Sequence, residues 1–248
     1  MAFSICIDAI FQNMDSIEAL DNVKAAGFDV FEFWHWQKKD IDALARKAAS
    51  LSLRCSGFCT TSFHLTSPAQ RDTFLLGVKE SIVVAKKMGA SFLITQSGPN
   101  TGESALSQER SIVEGLKEAA PLLEEAGIDL LLEPLNARVD HPGIFLQSSD
   151  QGFEILNCVG SPNIKMLFDI YHQQITEGDI IRRVTSNINQ IGHFHCAANP
   201  ERHELDSGEL DYRRIFHAIY SLRFKGHLGM EYFPAKPAAE GLKWLRGL

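Results

Sequence analysis

The sequence predicts an α/β protein, a single (β/α)8 TIM barrel, on three observations. Short apolar segments alternate with amphipathic ones about eight times along the chain, the pattern of a parallel sheet wrapped in helices. Glycine recurs where each helix should give way to a strand. The length of 248 residues suits one closed barrel. The runner-up, a doubly wound open sheet, should carry a glycine-rich turn after an early strand, and none follows Phe3–Ile7.

The expected strands are Phe3–Ile7, Phe28–Phe33, Leu53–Phe58, Ser91–Thr95, Ile128–Glu133, Ile164–Asp169, Ile191–Cys196 and His227–Phe233. They are short and rich in β-branched and aromatic residues, which favours strand over helix. Between them, Ser111–Glu125 sets Ile112, Leu116, Ala119 and Leu123 on one helical face. Pro121 in that segment is expected to kink or shorten the helix. Pro68–Met88 repeats the pattern with Leu75, Val78, Ile82 and Ala85, while the start of the last helix, near Ala238–Leu248, is not sharply marked. Gly27, Gly89, Gly127 and Gly160 stand where a helix ends and the chain turns through a left-handed conformation. No linker or low-complexity tract interrupts the pattern, so 1–248 reads as one domain.

Composition narrows the function classes. Hydrophobic residues make up 45% and charged residues 22%, ordinary globular values. A net charge of -7 argues against a nucleic-acid partner, which needs a basic surface, and against an anionic membrane. The five cysteines, Cys6, Cys55, Cys59, Cys158 and Cys196, are odd in number and scattered, a poor disulfide framework that points to a reducing compartment. Cys55 and Cys59 lack a second pair at zinc-site spacing, and Cys196 reads as a small buried strand residue. The first residues carry no basic, apolar leader, and no run reaches membrane-span length. The expectation is a cytoplasmic protein with no membrane association.

Barrel chemistry sits at the C-terminal ends of the strands. The fifth strand ends on Glu133, the sixth on Asp169, the seventh passes through His195 and the eighth through Glu231. Alternation along each strand places Leu131, Leu167, His193 and Gly229 one layer below these four, with His193 a buried or supporting histidine rather than a ligand. Each acid alone could serve as a helix cap or salt-bridge partner. Together, three carboxylates in a half-buried mouth would repel one another unless a cation joined them. Three carboxylates with one imidazole form an oxygen-rich donor set that suits a divalent ion such as manganese, magnesium or cobalt.

The blocks around these residues resemble the hydroxypyruvate isomerase family, within the xylose-isomerase-like sugar isomerase and epimerase barrels. They are Glu133-Pro134-Leu135-Asn136, Asp169-Ile170-Tyr171-His172, Gly192-His193-Phe194-His195, Asn199-Pro200-Glu201-Arg202-His203-Glu204 and Gly208-Glu209-Leu210-Asp211-Tyr212. The resemblance spans nearly the whole chain and is sharpest from about Leu130 to Pro234. It implies that Glu133 and Glu231 are the acid/base pair, and that Glu133, Asp169, His195 and Glu231 hold the metal in metal-using branches. It further implies that His172 and Arg202 hold substrate oxygens, and it raises the expectation of a homo-oligomer. One position departs: the hydroxypyruvate and oxo-tetronate branches often carry Gln where His195 stands, and the ketose 3-epimerase branch carries His.

The implied chemistry is proton abstraction beside a carbonyl of a small sugar or oxo-acid. A carboxylate suffices as base when the developing enediolate is stabilised, and a second carboxyl can return the proton. Arg202 is a candidate partner for a substrate carboxylate. Glu32, Trp34, His35 and Trp36 end the second strand and are candidates for a wall over the substrate, with barrel-top packing as the alternative. His64, in the third loop, is a further candidate lining residue. Three other readings compete: a metal-dependent ketose 3-epimerase, a DNA-repair nuclease of the endonuclease-IV type, and a non-catalytic sugar-binding barrel. The charge and the scarcity of early strand-end histidines speak against the nuclease, and the two glutamates against the binding barrel.

Overall fold

The computed structural model describes residues 2–61 and 63–247. Eight strands, β1 (Ala2–Cys6), β2 (Val30–Phe33), β3 (Arg54–Cys59), β4 (Phe92–Gln96), β5 (Asp129–Glu133), β6 (Ile164–Asp169), β7 (Ile191–Cys196) and β8 (His227–Met230), close into a barrel in sequence order. All neighbours are parallel, and β8 closes on β1 with Ala2 opposite His227 and Ile5 opposite Met230. The closure excludes the open-sheet alternative. All eight expected strands are present, although the last stops at Met230 rather than Phe233. Glu231 lies just past the ladder but is tied to it, because its N–H donates to the Cys196 carbonyl at 3.2 Å.

The helices are α1 (Ile7–Ile10), α2 (Ser16–Ala25), α3 (Ile41–Ser50), α4 (Arg71–Met88), α5 (Ala105–Ala126), α6 (Ser149–Val159), α7 (Ile170–Thr176), α8 (Ile180–Asn187), α9 (Tyr212–Ser221) and α10 (Ala238–Leu245). Helix α5 buries Ile112, Leu116, Ala119 and Leu123, the face read from the sequence. It runs on through Pro121 to Ala126, so the proline does not shorten it; the end comes at Gly127, in the left-handed region. Gly27, Gly89 and Gly160 likewise take positive φ at or just beyond helix ends. Pro68 opens a short 3-10 turn that feeds α4. Among the described residues no helix is long and apolar enough to cross a membrane.

Strand alternation produces two apolar layers. Side chains such as Ile5, Phe31, Phe33, Leu130, Phe168 and Phe194 pack outward against the helices. Cys59, Phe92, Ile94, Leu131 and Leu167 form a separate cluster inside the barrel. The inner cluster makes the barrel a packed core with a floor under the mouth, as expected for eight strands. Each fully buried Leu there contributes roughly 1.5–3 kcal/mol by leaving water. All five cysteines are free; only Cys158 is exposed, and Cys196 is buried in β7 as expected.

Candidate active site

Glu133, Asp169, His195 and Glu231 converge at the C-terminal mouth, each offering a ligand atom within 4.8 Å of the others. All four are buried. Glu133, His195 and Glu231 line a cavity of about 360 Å³ whose lining also includes Trp34, His35, Cys59, Phe63, Gln96, His141, His172, Arg202 and Phe233, and Asp169 stands beside them, outside the lining itself. Leu131 and Leu167 lie in the apolar cluster beneath, as the alternation required.

Several of these side chains have two duties. Asp169 Oδ1 caps α7 by accepting the His172 N–H at 3.0 Å, so the helix-cap alternative holds for one of its oxygens. Its Oδ2 lies 3.5 Å from His172 Nε2 and 3.7 Å from Arg202 Nη2, two side chains that line the cavity. Glu231 Oε1 accepts the Trp34 indole N–H at 2.7 Å, and its Oε2 pairs with the Arg202 guanidinium. The guanidinium itself sits over the rings of Tyr171 and Phe233, 5.0 and 5.4 Å from their centroids. Such a stack fixes the plane of its donors.

His195 joins the mouth to the layer below. Its Nδ1 is 3.4 Å from both Glu133 Oε1 and Glu231 Oε2, and its Nε2 is 2.9 Å from Glu32 Oε1. The other oxygen of Glu32 lies 3.0 Å from His193 Nε2. The ring nitrogens at these contacts lack in-line hydrogen-bond geometry, so the cluster is held mainly by charge and packing. A hydroxyl pair extends it: Ser56 Oγ donates to Glu32 Oε2 at 3.2 Å and lies 2.7 Å from Ser4 Oγ. Gly229 makes the cluster possible. A Cβ there would fall 2.5 Å from Glu32 Oε1 and 2.6 Å from His193 Nε2.

The electrostatics are unbalanced in the mouth. Burial raises Glu133 and Asp169 above the usual carboxylate range, and the neighbouring charges of His195 and Arg202 offset this only in part. Burial would also raise Glu231, but His195 and Arg202, with the Trp34 hydrogen bond, hold it well below normal. Burial opposes a proton on His195, yet the carboxylates of Glu231 and Glu32 outweigh it and raise that pKa well above normal. The mouth therefore draws positive charge toward itself.

A divalent cation fits this donor set. Glu32 beside His195 Nε2 holds one ring proton there, so a cation that displaced the second proton would find Nδ1, which lacks an in-line hydrogen-bond partner, 3.4 Å from each of two carboxylates. Three carboxylate oxygens and one imidazole nitrogen, all buried, would each be satisfied by one cation. Glu133, Asp169, His195 and Glu231 could hold it.

Two expected site residues lie elsewhere. Glu32 does not line the cavity; it is 1% exposed and sits beneath Trp34, between the two histidines. His64 is exposed and outside the cavity, while its neighbour Phe63 lines it. Of the expected wall, Trp34 and His35 reach the cavity, whereas Trp36 turns its indole N–H to Ser81 Oγ at 3.2 Å. His172, Arg202 and His193 lie where expected. Gln96, Asn136, Asp140 and His141 were not foreseen as contributors. Gln96 ends β4 and could have been found by reading every strand end; the other three sit in the loop after β5, whose path no spacing reveals.

Comparison with known proteins agrees with this fold. The family model described as the xylose isomerase-like TIM barrel matches residues 20–248. The hydroxypyruvate isomerase of Escherichia coli is 29% identical over 99% of this chain and 98% of its own length. A 2-oxo-tetronate isomerase of Cupriavidus necator is 42% identical over 54% of this chain and 51% of its own. A Brucella melitensis structure, described as an AP endonuclease of family 2, superposes with a TM-score of 0.95 at 27% identity, covering 99% of this chain and 98% of that one. The chain thus belongs to the hydroxypyruvate isomerase family of xylose isomerase-like TIM barrels and is an isomerase of the sugar and oxo-acid type.

Proposed function

We propose that this chain isomerises a small oxo-acid of the hydroxypyruvate type, with Glu133 and Glu231 as the acid/base pair and a divalent cation held by Glu133, Asp169, His195 and Glu231. The observation that carries the reading is the convergence of those four buried side chains on one another, three of them lining a cavity that Arg202 also lines. Manganese, magnesium and cobalt are the ions that suit the donor set. Held there, the cation would stabilise the negative charge that develops on the substrate carbonyl and its neighbouring hydroxyl.

The protein residues divide the remaining work. One glutamate removes the proton from the hydroxyl-bearing carbon next to the carbonyl and a glutamate returns a proton to the former carbonyl carbon, while the hydroxyl proton passes to the former carbonyl oxygen. The two reach the cavity from the end of β5 and from just past β8. Arg202, stacked between Tyr171 and Phe233, presents a guanidinium to a substrate carboxylate. His172 donates to a substrate oxygen. Trp34 and Phe233 cover the cavity with apolar surface, which limits water around the carbanionic intermediate.

The test is proton NMR in deuterated, magnesium-supplemented buffer with hydroxypyruvate, a four-carbon oxo-acid and a ketose panel. Deuterium entering beside the carbonyl of the oxo-acids, with the aldehyde isomer appearing, supports the reading. Exchange confined to carbon 3 of ketoses, with a new epimer, would replace it with the 3-epimerase reading that His195 keeps open. No exchange on any of them would remove both.

A further inference from the structure

Asn136 belongs to the block Glu133-Pro134-Leu135-Asn136, and the proposed chemistry leaves it without a task. It is fully buried in the loop after β5, and its side-chain amide can be oriented without ambiguity. Its oxygen accepts two backbone donors, the Val139 N–H at 2.9 Å and the Asp140 N–H at 3.2 Å. Reversing the amide would set its NH2 group against both. The nitrogen therefore faces the other way, where it donates to Asp140 Oδ2 at 2.7 Å and lies 2.6 Å from His172 Nδ1.

An amide nitrogen has hydrogens and no lone pair to offer. His172 Nδ1 must then be the acceptor in that contact, and the ring proton must sit on Nε2. Nε2 is the nitrogen that faces Asp169 Oδ2 at 3.5 Å, and the ring lines the cavity. His172 is 1% exposed, so no bulk water competes for either nitrogen. We infer that Asn136 is a positioning residue that locks His172 as the Nε2–H tautomer, making it a one-way hydrogen-bond donor toward substrate oxygen. On the proposed function, on which this inference rests, such a His172 cannot remove a proton through Nε2, because that nitrogen has no lone pair in the ring plane. Proton transfer is left to the glutamates, and the site accepts an oxygen acceptor, not a donor, at that point.

The tautomer can be read directly. In the magnesium-supplemented protein labelled with ring nitrogen-15 histidine, NMR should show the His172 imidazole with Nδ1 bare and Nε2 protonated. Its resonances should disappear in His172→Gln. Asn136→Asp keeps the turn-accepting oxygen but puts a carboxylate oxygen against Nδ1, so the proton should move to Nδ1. With it, kcat/KM should fall roughly 10- to 100-fold, the size seen when the orienting partner of a site histidine is lost. In a His172→Gln background, which retains an N–H donor but has no tautomer, Asn136→Asp should cost nothing further, whereas a purely structural role would cost the same in both backgrounds. Asn136→Ser, which also keeps an oxygen for the turn, provides the same comparison if the aspartate variant folds poorly. A wild-type His172 protonated at Nδ1, or an undiminished penalty in the His172→Gln background, would overturn the inference. The expected tautomer in a protein with no isomerase activity would support the role of Asn136 while removing the proposed function.

Discussion

Two carboxylate–imidazole clusters lie one above the other in this barrel, and they share a ring. The upper one gathers Glu133, Asp169 and Glu231 around His195 Nδ1; the lower gathers His193 and His195 Nε2 around Glu32. Either group alone has the residue types of a metal site. They differ in charge balance and access. The upper cluster sets three acids against one imidazole and Arg202 and opens on the cavity. The lower sets one acid against two imidazoles and packs under Phe92, whose ring is 4.6 Å from that of His193; neither Glu32 nor His193 lines the cavity. An excess of buried anions facing a cavity calls for a cation, whereas a balanced buried group serves as a support.

That contrast can be broken most sharply from above. Glu133→Gln keeps the shape of the side chain and removes its basicity, so kcat should fall by about 10²- to 10⁴-fold, the range for a lost acid/base group, with the circular dichroism spectrum unchanged. Glu231→Gln should cost as much in rate. It should also lower the melting temperature, because Glu231 is the close carboxylate partner of the buried Arg202. Near-normal turnover in both variants would remove the acid/base assignment.

The second expected effect distinguishes support from site. Glu32→Gln removes the charge that holds the His195 proton on Nε2 without touching the cavity. Loss of such an outer partner typically weakens metal affinity by about 10- to 100-fold. Titration with manganese should show that loss, and activity should largely return at saturating metal. If activity stays absent at saturation, Glu32 acts in the chemistry and the division between the two clusters fails.

The third is a stability effect of the metal itself. A ligand that binds only the folded state at about 100 times its Kd stabilises by roughly 2.7 kcal/mol. For a chain of this size that is about 5–10 °C in Tm. Thermal scans with and without chelator should show such a shift in the wild type and lose it in Asp169→Asn. A shift that survives in Asp169→Asn would place the ion elsewhere.

The difference between the clusters also explains what the sequence made legible. The barrel could be read because strand and helix periods alternate over the whole chain, and the upper cluster because four strand ends carry its residues. The same rule that puts Leu131 under Glu133 puts Glu32 under Trp34, two residues further on and just past the end of β2. By that rule Glu32 belongs a layer below the strand-end residues, and the structure places it there, outside the cavity lining. The partner of Glu32 could not be read at all. Its contact with His193 spans the barrel, and it depends on Gly229 leaving space that only the closed structure reveals. The loop residues were illegible for a different reason. Asn136 and Asp140 meet His172 and Arg202 through a turn stabilised by its own side-chain hydrogen bonds, not through any period.

Gly229→Ala tests that space directly. The added Cβ would press on Glu32 and His193 at 2.5 and 2.6 Å, and overpacking of this kind costs about 1–3 kcal/mol. A fall in Tm of about 2–12 °C is expected, together with weaker metal binding as the His195 ring is displaced. An unchanged Tm would mean that the lower cluster is soft, and a soft support could not aim His195.

The smallest expected effect lies in the third loop, where neighbours on one segment part company. His64 points to solvent and Phe63 into the cavity, and the backbone between them is held by Gly98, where a Cβ would collide with the Phe63 carbonyl. His64→Ala should leave kcat/KM within about twofold, as surface changes away from a site do. Phe63→Ala should raise KM and leave kcat nearly intact, because an apolar wall binds ground state and transition state alike. If His64→Ala instead lowers activity, the loop must fold His64 over the bound substrate, and the cavity seen here would be the open form of a site that closes.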